Sequence, residues 1–77
     1  MKSVIISLKE AEDVKSFVNT VNKYPYDMDL RSGRYVVDAK SILGIFSLNL
    51  SFNLTLEIHS DNCDDILVEL KQFAPKN

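Results

Sequence analysis

The sequence has 77 residues, 45% hydrophobic and 26% charged, with two glycines and two prolines, the make-up of one ordinary globular domain over 1–77, which excludes a disordered, fibrous or multi-domain chain. Nine basic residues against eleven acidic ones, a formal charge of −2, leave no positive patch able to track a phosphate backbone, so nucleic acid is excluded as a partner. One cysteine precludes an internal disulfide; no signal-like segment and no run of about 18 apolar residues occurs, so no membrane association and a cytoplasmic address are expected.

In chain order, Ser3, Val4, Ile5 and Ile6 form a short, partly β-branched run that predicts a strand in the middle of a sheet. Ser7 and Glu10 fit a capping box, which predicts a helix starting at that point. Ala11, Val14, Phe17, Val18, Val21 and Tyr24 recur at spacings of three and four. A helix over 8–24, about 17 residues and roughly 25 Å long, therefore turns one stripe to a core, and Pro25 stops it. Tyr26, Met28 and Leu30 alternate with Asp27, Asp29 and Arg31 as in a half-buried strand. Ser32 and Gly33 then reverse the chain into a second strand over 34–37, making a hairpin.

Asp38, Ala39 and Lys40 break the extended pattern, and Ser41 can accept hydrogen bonds from the free N–H groups that follow, so a helix begins at Ser41. Ile42, Leu43, Ile45, Phe46 and Leu48 carry more apolar surface than one face of a two-turn helix over 42–48 can bury. Helix spacing lets Leu43 and Phe46 lie outside while Ile42, Ile45 and Leu48 lie inside. Phe52, Leu54, Leu56 and Ile58 alternate with Asn53, Thr55, Glu57 and His59 in a further strand with one buried face. Cys63, Ile66, Leu67, Leu70 and Phe73 form the stripe of a last helix over 63–73. Asp61, Asp64 and Asp65 lie near its positive end and Pro75 just beyond it. The order βαββαβα predicts an α+β fold: a four-stranded antiparallel sheet with three helices on one face and solvent on the other.

The string Ala39-Lys40-Ser41-Ile42-Leu43-Gly44-Ile45-Phe46-Ser47-Leu48 resembles the segment around the regulatory serine of HPr, the histidine-containing phosphocarrier protein of the bacterial sugar phosphotransferase system. The resemblance runs without a gap from Val37 to Ile58, and it implies the same open-faced β-sandwich that the periodicity reaches independently. In that family a phosphoryl group passes through a histidine in a Gly-x-His-x-Arg-Pro loop between the first strand and the first helix. The junction in this chain, Ile6-Ser7-Leu8-Lys9-Glu10-Ala11-Glu12-Asp13, has no histidine, arginine, glycine or proline. Counting back without a gap from Tyr24 puts Glu10 at the histidine position and Glu12 at the arginine position. Without the nucleophile the family's histidine chemistry is expected to be lost, and three carboxylates would compete with a phosphoryl anion for the helix's N–H groups. Glu10, Glu12 and Asp13 then either complement the helix dipole or mimic a phosphohistidine.

The resemblance also implies Ser41 as a candidate for phosphorylation by a dedicated kinase, with Ile42, Leu43 and Phe46 as residues that dock a protein partner. The alternative is that Ser41 is only an N-cap and the apolar residues fill the core. His59 has no ligand cluster around it in the sequence and reads as a surface histidine. Cys63, on an apolar stripe among aspartates, reads as a core thiol. Neither a metal nor a cofactor motif occurs, and no phosphate loop or hydrolase triad points to a catalytic activity. Three functions stay open. The chain is a histidine-lacking HPr-like protein that binds or regulates phosphotransferase-system or other regulatory proteins, a phosphocarrier with an unrecognised acceptor, or an HPr fold reused as a structural or dimerising module.

Overall fold

A computed structural model describes residues 1–75. Its elements are β1 (Lys2–Ile6), α1 (Ala11–Val21), β2 (Met28–Ser32), β3 (Tyr35–Asp38), α2 (Ile42–Phe46), β4 (Leu54–Ile58) and α3 (Asp64–Leu70), the last continued by one 3₁₀ turn, Lys71–Phe73. The strands form a single antiparallel sheet in the order β1-β4-β2-β3, and the chain order βαββαβα is the one that the periodicity predicts.

Register assigns the two faces. Val4 and Leu30 flank Leu56, Ile6 faces Leu54, and Met28 faces Ile58, so one side of the sheet is apolar and packs under the helices. Val14, Phe17 and Val21 of α1, Ile45 of α2, and Ile66 and Leu70 of α3 are buried against it. The Phe17 ring meets Phe73 edge-on, with centroids 5.5 Å apart, a favoured aromatic geometry. The opposite face carries Ser3, Ile5, Asp29, Arg31, Val36, Thr55 and Glu57, all exposed or half-buried, with an Arg31–Glu57 ion pair at 3.1 Å.

Several sequence expectations need correcting: Phe52 lies before β4, where the chain is still turning, and is 66% exposed rather than on the strand's buried face, and α2 ends at Phe46 rather than Leu48. β1 is an edge strand rather than a central one, so Ile5 points to solvent and is half exposed. The first helix begins at Ala11, three residues later than predicted, with Glu10 as its N-cap. Ser7 cannot cap at its own position, because its N–H is drawn to the Phe73 carbonyl at 2.8 Å and the next side chain, Leu8, is fully buried; the chain between them stays irregular. The same helix ends at Val21 rather than Tyr24. The Asn22 amide Nδ2 donates to the Val18 carbonyl at 2.8 Å, and Pro25 disfavours helical backbone at Tyr24. The last helix tightens into its 3₁₀ turn at Lys71 instead of running on unchanged to Phe73.

Gly33 and Arg34 are the two central residues of the β2–β3 turn, closed by the Ser32–Tyr35 pair. Gly33 has φ +60, and among the described residues no other has positive φ. Positive then negative φ is the pattern of a type II′ turn, which suits the twist of the strands that it joins. From β3 the chain is tied back by the Ala39 N–H to the Met28 carbonyl and the Ser41 N–H to the Asp38 carbonyl, both 3.0 Å. These bonds aim α2 at the sheet margin.

Candidate functional site

Ser41 has extended backbone, φ −98 and ψ 108, and its Oγ accepts the Gly44 N–H at 3.1 Å. It is a working N-cap, and the residue is also exposed. Gly44 lies close under β3: a Cβ there would meet Ser41 Oγ and Val37 Cβ at 3.2 Å. That close approach lets so short a helix bury Ile45 completely and Leu48 to 9% exposure. Ile42 is half-buried against the core. Leu43 is 81% exposed and Phe46 45%, and their spacing of three puts them on neighbouring positions of one side. The short helix therefore carries an exposed hydroxyl at its N-cap and two exposed apolar side chains along its length, with Ile42 packed against the core.

Glu10, which the ungapped count from Tyr24 sets against the family's histidine, is exposed, and its N–H is accepted by the Asp13 carboxylate at 3.2 Å. Glu12 and Asp13 occupy the first turn of α1, with Glu12 near Lys15 at 3.7 Å. The helix's positive end is thus already met by carboxylates on its own chain. Beside it lies a cleft of about 190 Å³ lined by Lys9, Asp13 and Gln72, and no nucleophilic histidine or cysteine is among its walls.

His59 follows Ile58, which faces Lys2, whereas α1 starts beyond Ile6, which faces Leu54. The histidine is therefore at the far end of the sheet from the α1 N-terminus. Its Nε2 is 2.8 Å from Asp29 Oδ2, in a cleft of about 460 Å³ that also includes Asp27, Asp38 and Lys40. Carboxylates around the ring repel a phosphoryl donor. Among the described residues no group of three or more His, Cys, Asp or Glu side chains is placed to hold a metal. Cys63 is buried, and its Sγ approaches the Ser60 carbonyl at 3.6 Å.

One constellation carried no signal in the sequence, because its members lie far apart in the chain. The Tyr24 hydroxyl donates to the Glu69 carboxylate, which also binds Lys23 Nζ at 2.8 Å. The Tyr26 hydroxyl donates to Asp65 at 2.9 Å, and the two tyrosine rings stack with centroids 6.0 Å apart. The hydrogen bond to Glu69, helped by burial, pushes the Tyr24 phenol up to about 12. Hydrogen bonds from Lys23 and Tyr24 hold Glu69 below the usual carboxylate range. Together these contacts clasp the α1–β2 connection to α3.

Among solved structures the chain is similar to HPr-C-His from Thermoanaerobacter tengcongensis, at 29% identity and a TM-score of 0.79, covering 94% of this chain and 89% of that one. It is also similar to the phosphocarrier protein HPr of Bacillus anthracis, at 27% identity and a TM-score of 0.71, covering 96% and 94%. The catabolite repression containing protein Crh of Bacillus subtilis, a swapped dimer in its crystal, shares the fold at 24% identity and a TM-score of 0.66, covering 95% and 90%. No curated protein matches significantly. The family model for the PTS HPr component phosphorylation site matches residues 10–74. With that match over most of its length and the HPr topology in its sheet, the chain belongs to the PTS HPr family.

Proposed function

We propose that this HPr-family chain works as a regulatory, protein-binding module related to the cytoplasmic sugar phosphotransferase system, and that it carries no phosphohistidine. The observation that supports the reading most is Leu43, a leucine left 81% exposed two residues after the exposed Ser41, on a short helix that buries Ile45 but also leaves Phe46 45% exposed. Leu43 and Phe46 dock the partner, Ile42 supports them from beneath, and Ser41 is the regulatory phosphorylation site. A phosphate there adds about −1.5 to −2 charges beside the apolar contact and changes which partners can approach. Glu10 replaces the phosphoryl-accepting group, so the chain acts by being bound rather than by catalysis or transfer. The catabolite repression protein among the similar structures is a precedent for regulation on this fold.

The test has two arms. Incubated with the phosphotransferase system's first enzyme and labelled phosphoenolpyruvate, the chain should take up no label; acid-labile label on His59, lost in His59→Ala, would overturn the reading. Incubated with an HPr serine kinase and ATP, it should gain one phosphate, absent from Ser41→Ala and slowed in Leu43→Ala and Phe46→Ala. Both Ala variants should keep stability within about 1 kcal/mol of the parent, as surface changes do, whereas losses of roughly 2–5 kcal/mol would mark core residues.

A further inference from the structure

Between the β2–β3 turn and the connection from α2 to β4 lies an open cleft of about 670 Å³, within the range of about 300–1,000 Å³ typical of small-molecule sites. Its charge sets it apart. The clefts at His59 and at the α1 N-terminus contain aspartates, whereas this one holds Arg34 and no carboxylate. Among the described residues Arg34 makes no ion pair or side-chain hydrogen bond, so its guanidinium is uncommitted in a chain of net charge −2.

Two aromatic rings flank it. Tyr35 is 68% exposed and Phe52 66%, and neither stacks on another aromatic ring among the described residues. Two amides complete the lining. Asn49 uses its Oδ1 to accept the Ser51 N–H at 3.1 Å, which leaves its NH₂ free, and Asn53 is likewise in the wall.

We propose that this cleft binds a mononucleotide, with the phosphate on Arg34, the base against Phe52, and the base edge read by Asn49 and Asn53. A guanidinium matches phosphate geometry in two parallel hydrogen bonds. Base-on-ring stacking contributes through any planar base, and asparagine amides pair with base edges. One cation is too few to hold a polynucleotide backbone, which limits the ligand to a single nucleotide. This site is independent of the docking role of Leu43 and Phe46.

The test is titration of the ¹⁵N-labelled chain with AMP, adenosine and inorganic phosphate, read by amide chemical shifts. AMP should give saturable shifts confined to Gly33, Arg34, Tyr35, Asn49, Phe52 and Asn53, with adenosine and phosphate each binding more weakly. Arg34→Gln should weaken AMP about tenfold, the loss expected for a charge-assisted contact, while leaving adenosine unchanged. Phe52→Ala should weaken both. Both residues are exposed, so their variants fold. Absence of saturable shifts with millimolar AMP, equal affinity for AMP and phosphate, or an unchanged AMP affinity in Arg34→Gln would each overturn the proposal.

Discussion

At Gly33 a side chain would have open space, since nothing lies within 4 Å of an added Cβ, yet the backbone sits at φ +60. Any cost of Gly33→Ala is therefore conformational, and left-handed backbone costs an L-residue roughly 1–2 kcal/mol. Urea unfolding should show that loss for Gly33→Ala. Arg34→Ala, next to it in the turn with negative φ, should stay within about 0.5 kcal/mol. The contrast isolates backbone strain from contact, because both residues are exposed. Single residues divided in the same way where the sequence was read for function. Helix spacing allowed Leu43 and Phe46 an outside position but left a core position open, and the structure leaves both exposed, 81% and 45%. The role of Glu10 could be stated as a missing histidine, but its partner Asp13 emerged only once the helix start was known.

The start of α1 shows how two valid local signals compete. Ser7 with Glu10 and Glu10 with Asp13 are both spaced to cap a helix. Burial of Leu8 and the hydrogen bond from Ser7 to the Phe73 carbonyl decide for the second, and those contacts come from about sixty-five residues away along the chain. Asp13→Ala should therefore lose about 0.5–1 kcal/mol, removing both an acceptor and a charge at the positive end of the helix. Ser7→Ala should change thermal stability by less than about 0.5 kcal/mol, since the bond it makes belongs to its backbone. Element types, strand pairing partners in the hairpin, and most of the buried faces of α1, β4 and α3 were readable, because amphipathic period is a local property, but Ala11 and Phe52, counted on those faces, are exposed at the start of α1 and just before β4. The edge position of β1 was not. A run such as Val4, Ile5 and Ile6 suits a central or an edge strand equally, and only long-range sheet order distinguishes them. The same limit hid the Tyr24–Glu69 and Tyr26–Asp65 contacts and the cleft between Arg34 and Phe52.

Across the whole molecule, those tyrosine contacts define how stability follows pH. Glu69 titrates below its ordinary 4.5 and Asp61 below 3.8, the latter held down by the amino terminus of Met1. Their contribution is complete above those ordinary values and is lost as pH falls through the lowered ones. Tyr24 titrates at about 12 against an ordinary 10.0, and Tyr26 is also raised by its bond to Asp65. The neutral phenols are the bonded forms, so their contribution is complete below 10.0 and fades as pH rises towards 12. On account of these groups, melting temperature should fall as pH drops below about 4.5 and again as it rises from 10 towards 12. Tyr24→Phe should flatten the alkaline limb and Glu69→Gln the acid limb. The sheet order has a consequence in time rather than in energy. The β2–β3 hairpin closes from neighbours, but β1 has no strand to join until β4 exists, about fifty residues later. A growing or refolding chain therefore holds Val4 and Ile6 in reserve, an open seam with unpaired backbone, and pays its largest loop closure last. Until that seam shuts, β4 of a neighbouring chain offers β1 the same edge as its own, and high protein concentration favours that exchange.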